Sequence, residues 1–332
     1  MSARPRGVVL VTALLSAVLM LAGCSAVPSA VPEAPGGDGN WTPVTVSTAF
    51  GEVTIPQRPR RVVTLGWGDA EVALALGVQP VGSADWLGIG GDGLGQWVQR
   101  RYEPRPPPML GTLDVNMERL AGLAPDLILD TRSSGDLDRH EQLSGLGVPV
   151  IGIPEGAQQY TTSWQQQLDL IGTALGERPQ AQRLRTDLEA KFARSAREHP
   201  EFSGATAVVG ARTVRGYGAY VDGTSRVEFM RALGFRNSPP VQELATTAFS
   251  VPISQERLDL LDADLTLMTT IGVDPQALIR DPLYRTVPSV REGRDVVFTD
   301  EVVSSAFASA TVVGIPYALD HLVPRLAEAL SR

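Results

Sequence analysis

Two apolar rhythms alternate along the chain. Short runs of aliphatic and β-branched residues at 61–65, 78–82, 127–129, 148–153, 205–210, 265–268 and 295–298 read as strands. Between them, apolar positions three or four apart predict helices over 69–76, 116–123, 143–146, 160–175, 227–233, 254–261 and 315–330. Gly77, Gly147, Gly176 and Gly234 follow helical runs, where a left-handed residue closes the last turn. Asn116 and Ser254 stand where a side-chain oxygen caps a helix start. Residues 44–55 alternate as a hairpin turning near Gly51, and 212–220 form a polar, aromatic loop or hairpin. Strands separated by helices pair in parallel, so the pattern predicts α/β layers.

The longest helical stretch, 178–199, carries Ala181, Leu184, Leu188, Phe192 and Ser195/Ala196 on one stripe and mixed charges elsewhere. Pro179 suits a first helical turn and Pro200 stops the run. The chain repeats itself on either side. Glu118-Arg119-Leu120-x-x-Leu123-x-x-Asp126-Leu127 matches Glu256-Arg257-Leu258-x-x-Leu261-x-x-Asp264-Leu265, and Ala75-Leu76-Gly77 matches Ala232-Leu233-Gly234. Both glutamates fall at the second position of their helices, near the positive dipole end. The expected architecture is α/β, with two Rossmann-like lobes (44–177 and 200–332) joined by one long helix, 178–199, and a ligand cleft between them.

Composition narrows the chemistry. A formal net charge of −8 argues against a nucleic-acid partner. Lys191 is the one lysine among 29 basic residues, so a cation in any binding site is a guanidinium, a planar donor suited to oxygen acceptors. Arg4 and Arg6 precede an apolar run, 8–21, too short to span a bilayer well, which ends in Leu21-Ala22-Gly23-Cys24. Residues 1–24 therefore read as a lipoprotein signal peptide, with Cys24 lipidated. Cys24 is the one cysteine, so no structural disulfide is expected. Pro, Gly and Ala dominate 25–43, as in a flexible tether.

Ligands of open α/β sheets bind beyond the carboxyl ends of strands. That rule nominates Trp67, Trp86 and Arg132 from the first half, and Arg212, Arg215, Tyr217 and Tyr220 from the second. Aromatic walls with several guanidiniums suit a bulky, partly apolar ligand with exposed oxygens. Residues 88–93 fit G-x-G-x-x-G but do not follow the first strand, so they read as a glycine-rich loop. His140, His199 and His321 do not pair at metal-ligand spacing. G-x-S-x-G and H-E-x-x-H are missing, and the spacing of carboxylates such as Asp69 and Asp85 indicates no acid–base pair, so no catalytic residue, cofactor or metal is assigned.

In the order and spacing of RRVVTL, ALGVQPVG, NMERLAGLAPDLIL, LSGLGVPVI, RALGF and SQERLDLLDADLTLM, residues 53–330 resemble the helical-backbone (class III) substrate-binding proteins of ABC importers. The resemblance implies a monomeric receptor on the outer face of the cytoplasmic membrane. It would capture a ferric siderophore, or cobalamin or haem in an alternative reading, and deliver it to the importer's membrane subunits. It also implies that Glu118 and Glu256 dock onto arginines of those subunits, and that closure of the lobes is small. An extracytoplasmic enzyme or a scaffold lipoprotein would belong to another class, and the two-lobe echo argues against the scaffold. Cys24→Ala is expected to abolish membrane attachment and precursor processing, read by fractionation and by the mobility of the precursor; normal attachment would refute lipidation.

Overall fold

A computed structural model describes residues 41–332, apart from 86, 87, 89–91, 100, 112 and 247. The first sheet has four parallel strands in the order Gly82–Ser83, Val62–Thr64, Leu127–Leu129, Val150–Ile151. Val62–Thr64 and Leu127–Leu129 are buried along their whole length, as parallel strands covered on both faces must be. The second sheet runs Ser250–Ile253, Gly216–Tyr220, Thr206–Thr213, Leu265–Ile271, Asp295–Val297, with Arg236–Asn237 also paired to Thr206–Thr213. Its Thr206–Thr213, Leu265–Ile271 and Asp295–Val297 strands are parallel, whereas Gly216–Tyr220 returns antiparallel as a hairpin. The small hairpin Val44–Thr48/Gly51–Ile55 is tied to the first sheet's side of the fold by Ala49 N donating to Ile153 O at 2.8 Å.

The helix Arg178–Glu198 runs for 21 residues, about 32 Å at 1.5 Å per residue. Its stripe is the one the sequence predicts: Ala181, Leu188 and Phe192 are buried and Leu184 packs against the same core. Near its start it crosses Trp164–Ala174 closely, because a Cβ at Gly172 would come within 2.6 Å of the Ala181 Cβ. Near its end, Phe192 meets Phe229 edge-on at 5.4 Å, Phe229 meets Phe307 edge-on at 5.1 Å, and Lys191 Nζ pairs with Asp320 at 2.7 Å. One hydrophobic cluster therefore runs from Val62 and Leu127 of the first sheet, past the long helix, to Val209 and Leu267 of the second. Separate clusters fill the outer side of each sheet, around Ile128 and Leu143 in one and around Leu261 and Tyr284 in the other.

The internal echo has a structural basis in its aspartates. Asp126 accepts from Arg60 N and Arg61 N at 2.8 Å each, just before the strand Val62–Thr64. Asp264 accepts from Thr206 N and Thr206 Oγ1 at 2.8 Å each, at the first residue of Thr206–Thr213. In both copies the carboxylate ties the start of one strand to the start of its parallel neighbour, Leu127 beside Val62 and Leu265 beside Ala207. Gly77 and Gly234 also match, with φ of 91° and 110° in the left-handed region that a side chain disfavours.

The structure departs from the sequence reading at several ends. The predicted helix over 160–175 starts at Trp164, because Ser163 and Gln166 close a capping box and Tyr160 takes φ 58°. The helix expected over 143–146 is Leu137–Ser144, started by Asp136 accepting from Asp138 N at 2.9 Å. Residues 254–261 form a 3-10 helix, Gln255–Leu261, with Arg257 outside helical geometry. Winding at three residues per turn eclipses Leu258 and Leu261, and both are buried. The strand Ser250–Ile253 and the helix Glu301–Ser309 were not legible, the first for its proline and the second for its small, weakly patterned residues. Phe192→Ala is expected to cost about 3–5 kcal/mol of unfolding free energy, against well under half of that for Leu184→Ala at the half-buried rim, measured by denaturant titration.

Candidate ligand-binding site

The carboxyl ends of Val62–Thr64 and Leu127–Leu129 open into two adjoining loops. They carry Trp67 and Arg132, and Trp67 N donates to Arg132 O at 2.8 Å. Gly66 is required between them, since a Cβ there would lie 2.8 Å from both Thr131 N and Arg132 N. The Asp69 carboxylate, inaccessible to water, binds both loops. Oδ2 accepts from Gly66 N and Thr131 N at 3.0 Å, while Oδ1 accepts from the Thr131 hydroxyl and from Gln167 Nε2, the latter at 2.7 Å. Burial pushes the Asp69 carboxyl up to about 6, and the donated hydrogen bonds pull against that shift. Gln167 Nε2 also donates to Trp67 O at 2.9 Å. The Trp67 ring is half-buried and stacks on Tyr160 at 4.1 Å with 24° between planes.

Arg132 is only 1% exposed. Its Nε donates to Thr162 O at 2.9 Å and Nη1 to Ser309 O at 2.8 Å, while Nη2 is buried with no partner. Burial lowers it to about 10, against the pull of Asp69 and Glu71, so it is charged at neutral pH. Glu71, also buried, accepts from Trp97 Nε1 at 3.0 Å and from Thr311 Oγ1 at 2.5 Å, and burial raises its carboxyl. Arg132, on a loop of the first sheet, and Glu71, on the helix Asp69–Ala75 beside it, thus fasten that side of the fold to Ser309–Thr311, where the helix Glu301–Ser309 ends. Nearby, Arg139 pairs bidentately with Asp130 at 2.9 and 3.0 Å.

In the second lobe, alternation along Gly216–Tyr220 sends its two tyrosines to opposite faces. Tyr220 joins the principal core. It stacks on Phe249 at 6.4 Å, and the Arg226 guanidinium lies over its ring at 4.6 Å. Arg226 Nε is buried without a partner. Tyr217 belongs to the outer cluster with Tyr284 and donates to Asp281 Oδ2 at 2.6 Å, and burial raises its phenol. Arg212, the cross-strand partner of Tyr217, lies over that ring at 4.8 Å. Arg215 is exposed at the hairpin turn. Of the residues nominated from sequence, Trp67 and Arg132 sit together, Tyr220 lies with Arg226, Tyr217 and Arg212 share the opposite sheet face, and Trp86 and Cys24 lie outside the described residues.

Sequence reasoning missed Tyr160, Arg226 and Phe249. Their neighbours come from long-range packing, and only a wider use of the strand-end rule, extended to the helix after Gly216–Tyr220, would have reached Arg226. A further hollow, lined by Ser163, Trp164, Gly223, Ser225, Arg231 and Ala310, draws on both lobes. The three histidines go separate ways, stacking on Phe50, Phe202 and Tyr317. Among the described residues, no three His, Cys, Asp or Glu side chains converge as metal ligands, and no helix is long and apolar enough to cross a membrane.

Glu118 and Glu256 are both exposed. Asn116 caps the helix Met117–Gly122 by accepting from Arg119 N at 2.9 Å, which leaves the Glu118 carboxylate to solvent. The Glu256 carboxyl is held below the usual range by its own backbone N–H and by Ser254. Each helix leads from the carboxyl end of one strand back to the start of another that runs parallel to it, so both glutamates stand at the carboxyl-end side of their sheets.

Comparison with known proteins agrees with this architecture. A family model described as periplasmic binding protein matches residues 62–302. A periplasmic solute binding protein from Mycobacterium smegmatis is 31% identical, with TM-score 0.75 over 87% of this chain and 99% of that one. PiaA of Streptococcus pneumoniae TIGR4, solved in complex with ferrichrome, superposes at TM-score 0.74 with 23% identity, over 87% of this chain and 99% of its own. The ABC transporter substrate-binding lipoprotein YvrC of Bacillus subtilis is 28% identical over 177 residues, so the chain matches about half of that relative's length, 52%. With two α/β lobes, a family match across most of the chain and a solved relative covered almost end to end, the chain belongs to the periplasmic binding protein family.

Proposed function

We propose that the protein is an extracytoplasmic receptor that holds a ferric siderophore between its lobes and delivers it to an ABC importer, without chemical change to the ligand. The observation that carries this reading is that each lobe gathers aromatic rings and a guanidinium: the Trp67 loop is bonded to the Arg132 loop through the backbone, and the Arg226 guanidinium lies over Tyr220. Trp67, Tyr160 and Arg132 come from the first, and Tyr220 and Arg226 from the second. Arg132 Nη2 and Arg226 Nε are buried donors without partners, and such donors are costly unless an acceptor meets them. Parting of the lobes would uncover these groups, and oxygens at the rim of an iron complex would then supply that acceptor while the rings cover its apolar parts. The ferrichrome bound by PiaA, a protein of the same fold, supports the ligand class.

The remaining parts fit delivery. A lipid on Cys24 would hold the chain to the outer face of the cytoplasmic membrane, with residues 25–43 as tether, and one copy would act alone. Glu118 and Glu256, exposed on matching helix starts, would pair with importer arginines and set the cleft over the translocation path.

Two measurements test this. Titrating the purified full-length chain with ferric hydroxamate, catecholate and citrate-type siderophores, and with haem and cobalamin, should quench tryptophan fluorescence with a siderophore, and Arg226→Ala should weaken that binding about tenfold or more. Quenching by cobalamin or haem alone would overturn the ligand class. Separately, the double change Glu118→Ala, Glu256→Ala should keep ligand affinity and lose uptake; normal uptake by that variant would remove the docking role.

A further inference from the structure

Asp69 touches no part of the cleft surface, yet its hydrogen bonds go to the two loops that bear Trp67 and Arg132. Gly66 N lies one residue before Trp67, and Thr131 N one residue before Arg132. Its fourth donor, Gln167, also holds the Trp67 carbonyl, so the tryptophan is gripped on both sides of its Cα. The flanking glycines leave it little alternative. A Cβ at Gly66 would collide with the Thr131 and Arg132 backbone, and Gly68 takes φ 83°. The repeated carboxylates Asp126 and Asp264 bind at strand starts. Asp69 instead binds at the carboxyl ends, where the candidate ligand site lies.

We propose that Asp69, acting with Gln167, is a positioning residue for ligand binding. It sets the direction of the Trp67 ring and the backbone position from which the Arg132 side chain leaves its loop, and contacts no ligand itself. The inference rests on the cleft reading above and adds the device that holds the cleft's first-lobe face in shape before ligand arrives. Preorganisation of that kind lowers the ordering cost of binding. Without the Gln167 amide, the Trp67 carbonyl is released while the backbone of Trp164–Ala174 is unchanged. With Asn at 69, one acceptor oxygen becomes a donor facing donors.

Asp69→Asn and Gln167→Met test the role in the full-length chain, each checked for native far-UV circular dichroism. The Trp67 contribution to the near-UV spectrum is isolated by subtracting the Trp67→Phe version of each. Both variants should lose the Trp67 band of the ligand-free protein and bind the siderophore held tightest by the wild type about tenfold or more weakly, at temperatures well below unfolding. A folded Gln167→Met variant that binds within about twofold of wild type overturns the positioning role, and it decides the matter where Asp69→Asn does not fold. If the wild type binds no siderophore of the panel, the ligand reading falls, and the Trp67 band alone decides: unaltered in Gln167→Met, it overturns the role; lost, it supports it.

Discussion

The carboxylate of Asp69 and the guanidinium of Arg132 are both sealed from water, and the architecture around the cleft depends on how each is satisfied. A buried carboxylate is tolerable only when donors surround it. Here the donors come from three places, the loop at Gly66, the loop at Thr131 and the helix residue Gln167. That requirement draws the carboxyl ends of two strands and one helix to a point. Arg132, emerging from that point, spends two donors on Thr162 O and Ser309 O, and Glu71 takes the Thr311 hydroxyl. Two of the contacts between the lobes, Arg132 to Ser309 and Glu71 to Thr311, are therefore polar and directional.

Around the seam, the contacts between the lobes are apolar and extended. The helix Arg178–Glu198 packs one end on Gly172 and the other on Phe229, which meets Phe307 in turn. A stiff helix and a hydrogen-bonded seam restrain the two sheets along different lines. A structure held in both ways gives up less conformational entropy when it binds a ligand.

The repeated ERLxxLxxDL block divides its labour in a way that sequence alone could not separate. Glutamate and aspartate are both acidic, and both recur. In the folded chain the aspartates turn inward to bind strand starts, whereas the glutamates face solvent. The conformations of the two copies also differ, α-helical over Met117–Gly122 and 3-10 over Gln255–Leu261. The echo is therefore one of contacts rather than of winding.

The α/β class, the long helix with its buried stripe, the cap at Asn116, the glycine stops and the two-lobe plan were all legible in the sequence. They depend on period, local capping and backbone freedom, which act over a few residues. Trp67 and Arg132 were reachable by the same route, because the end of a strand is a local event. Tertiary structure alone decided which neighbours meet there. The stacking of Trp67 on Tyr160, the placement of Arg226 over Tyr220, the turning of Tyr217 to the opposite face, and the joining of Glu71 to Thr311 across 240 residues all arise from packing between distant segments. Burial of the Asp69 and Arg132 charges belongs to the same class, since it depends on what the whole fold excludes from water rather than on the residues beside them.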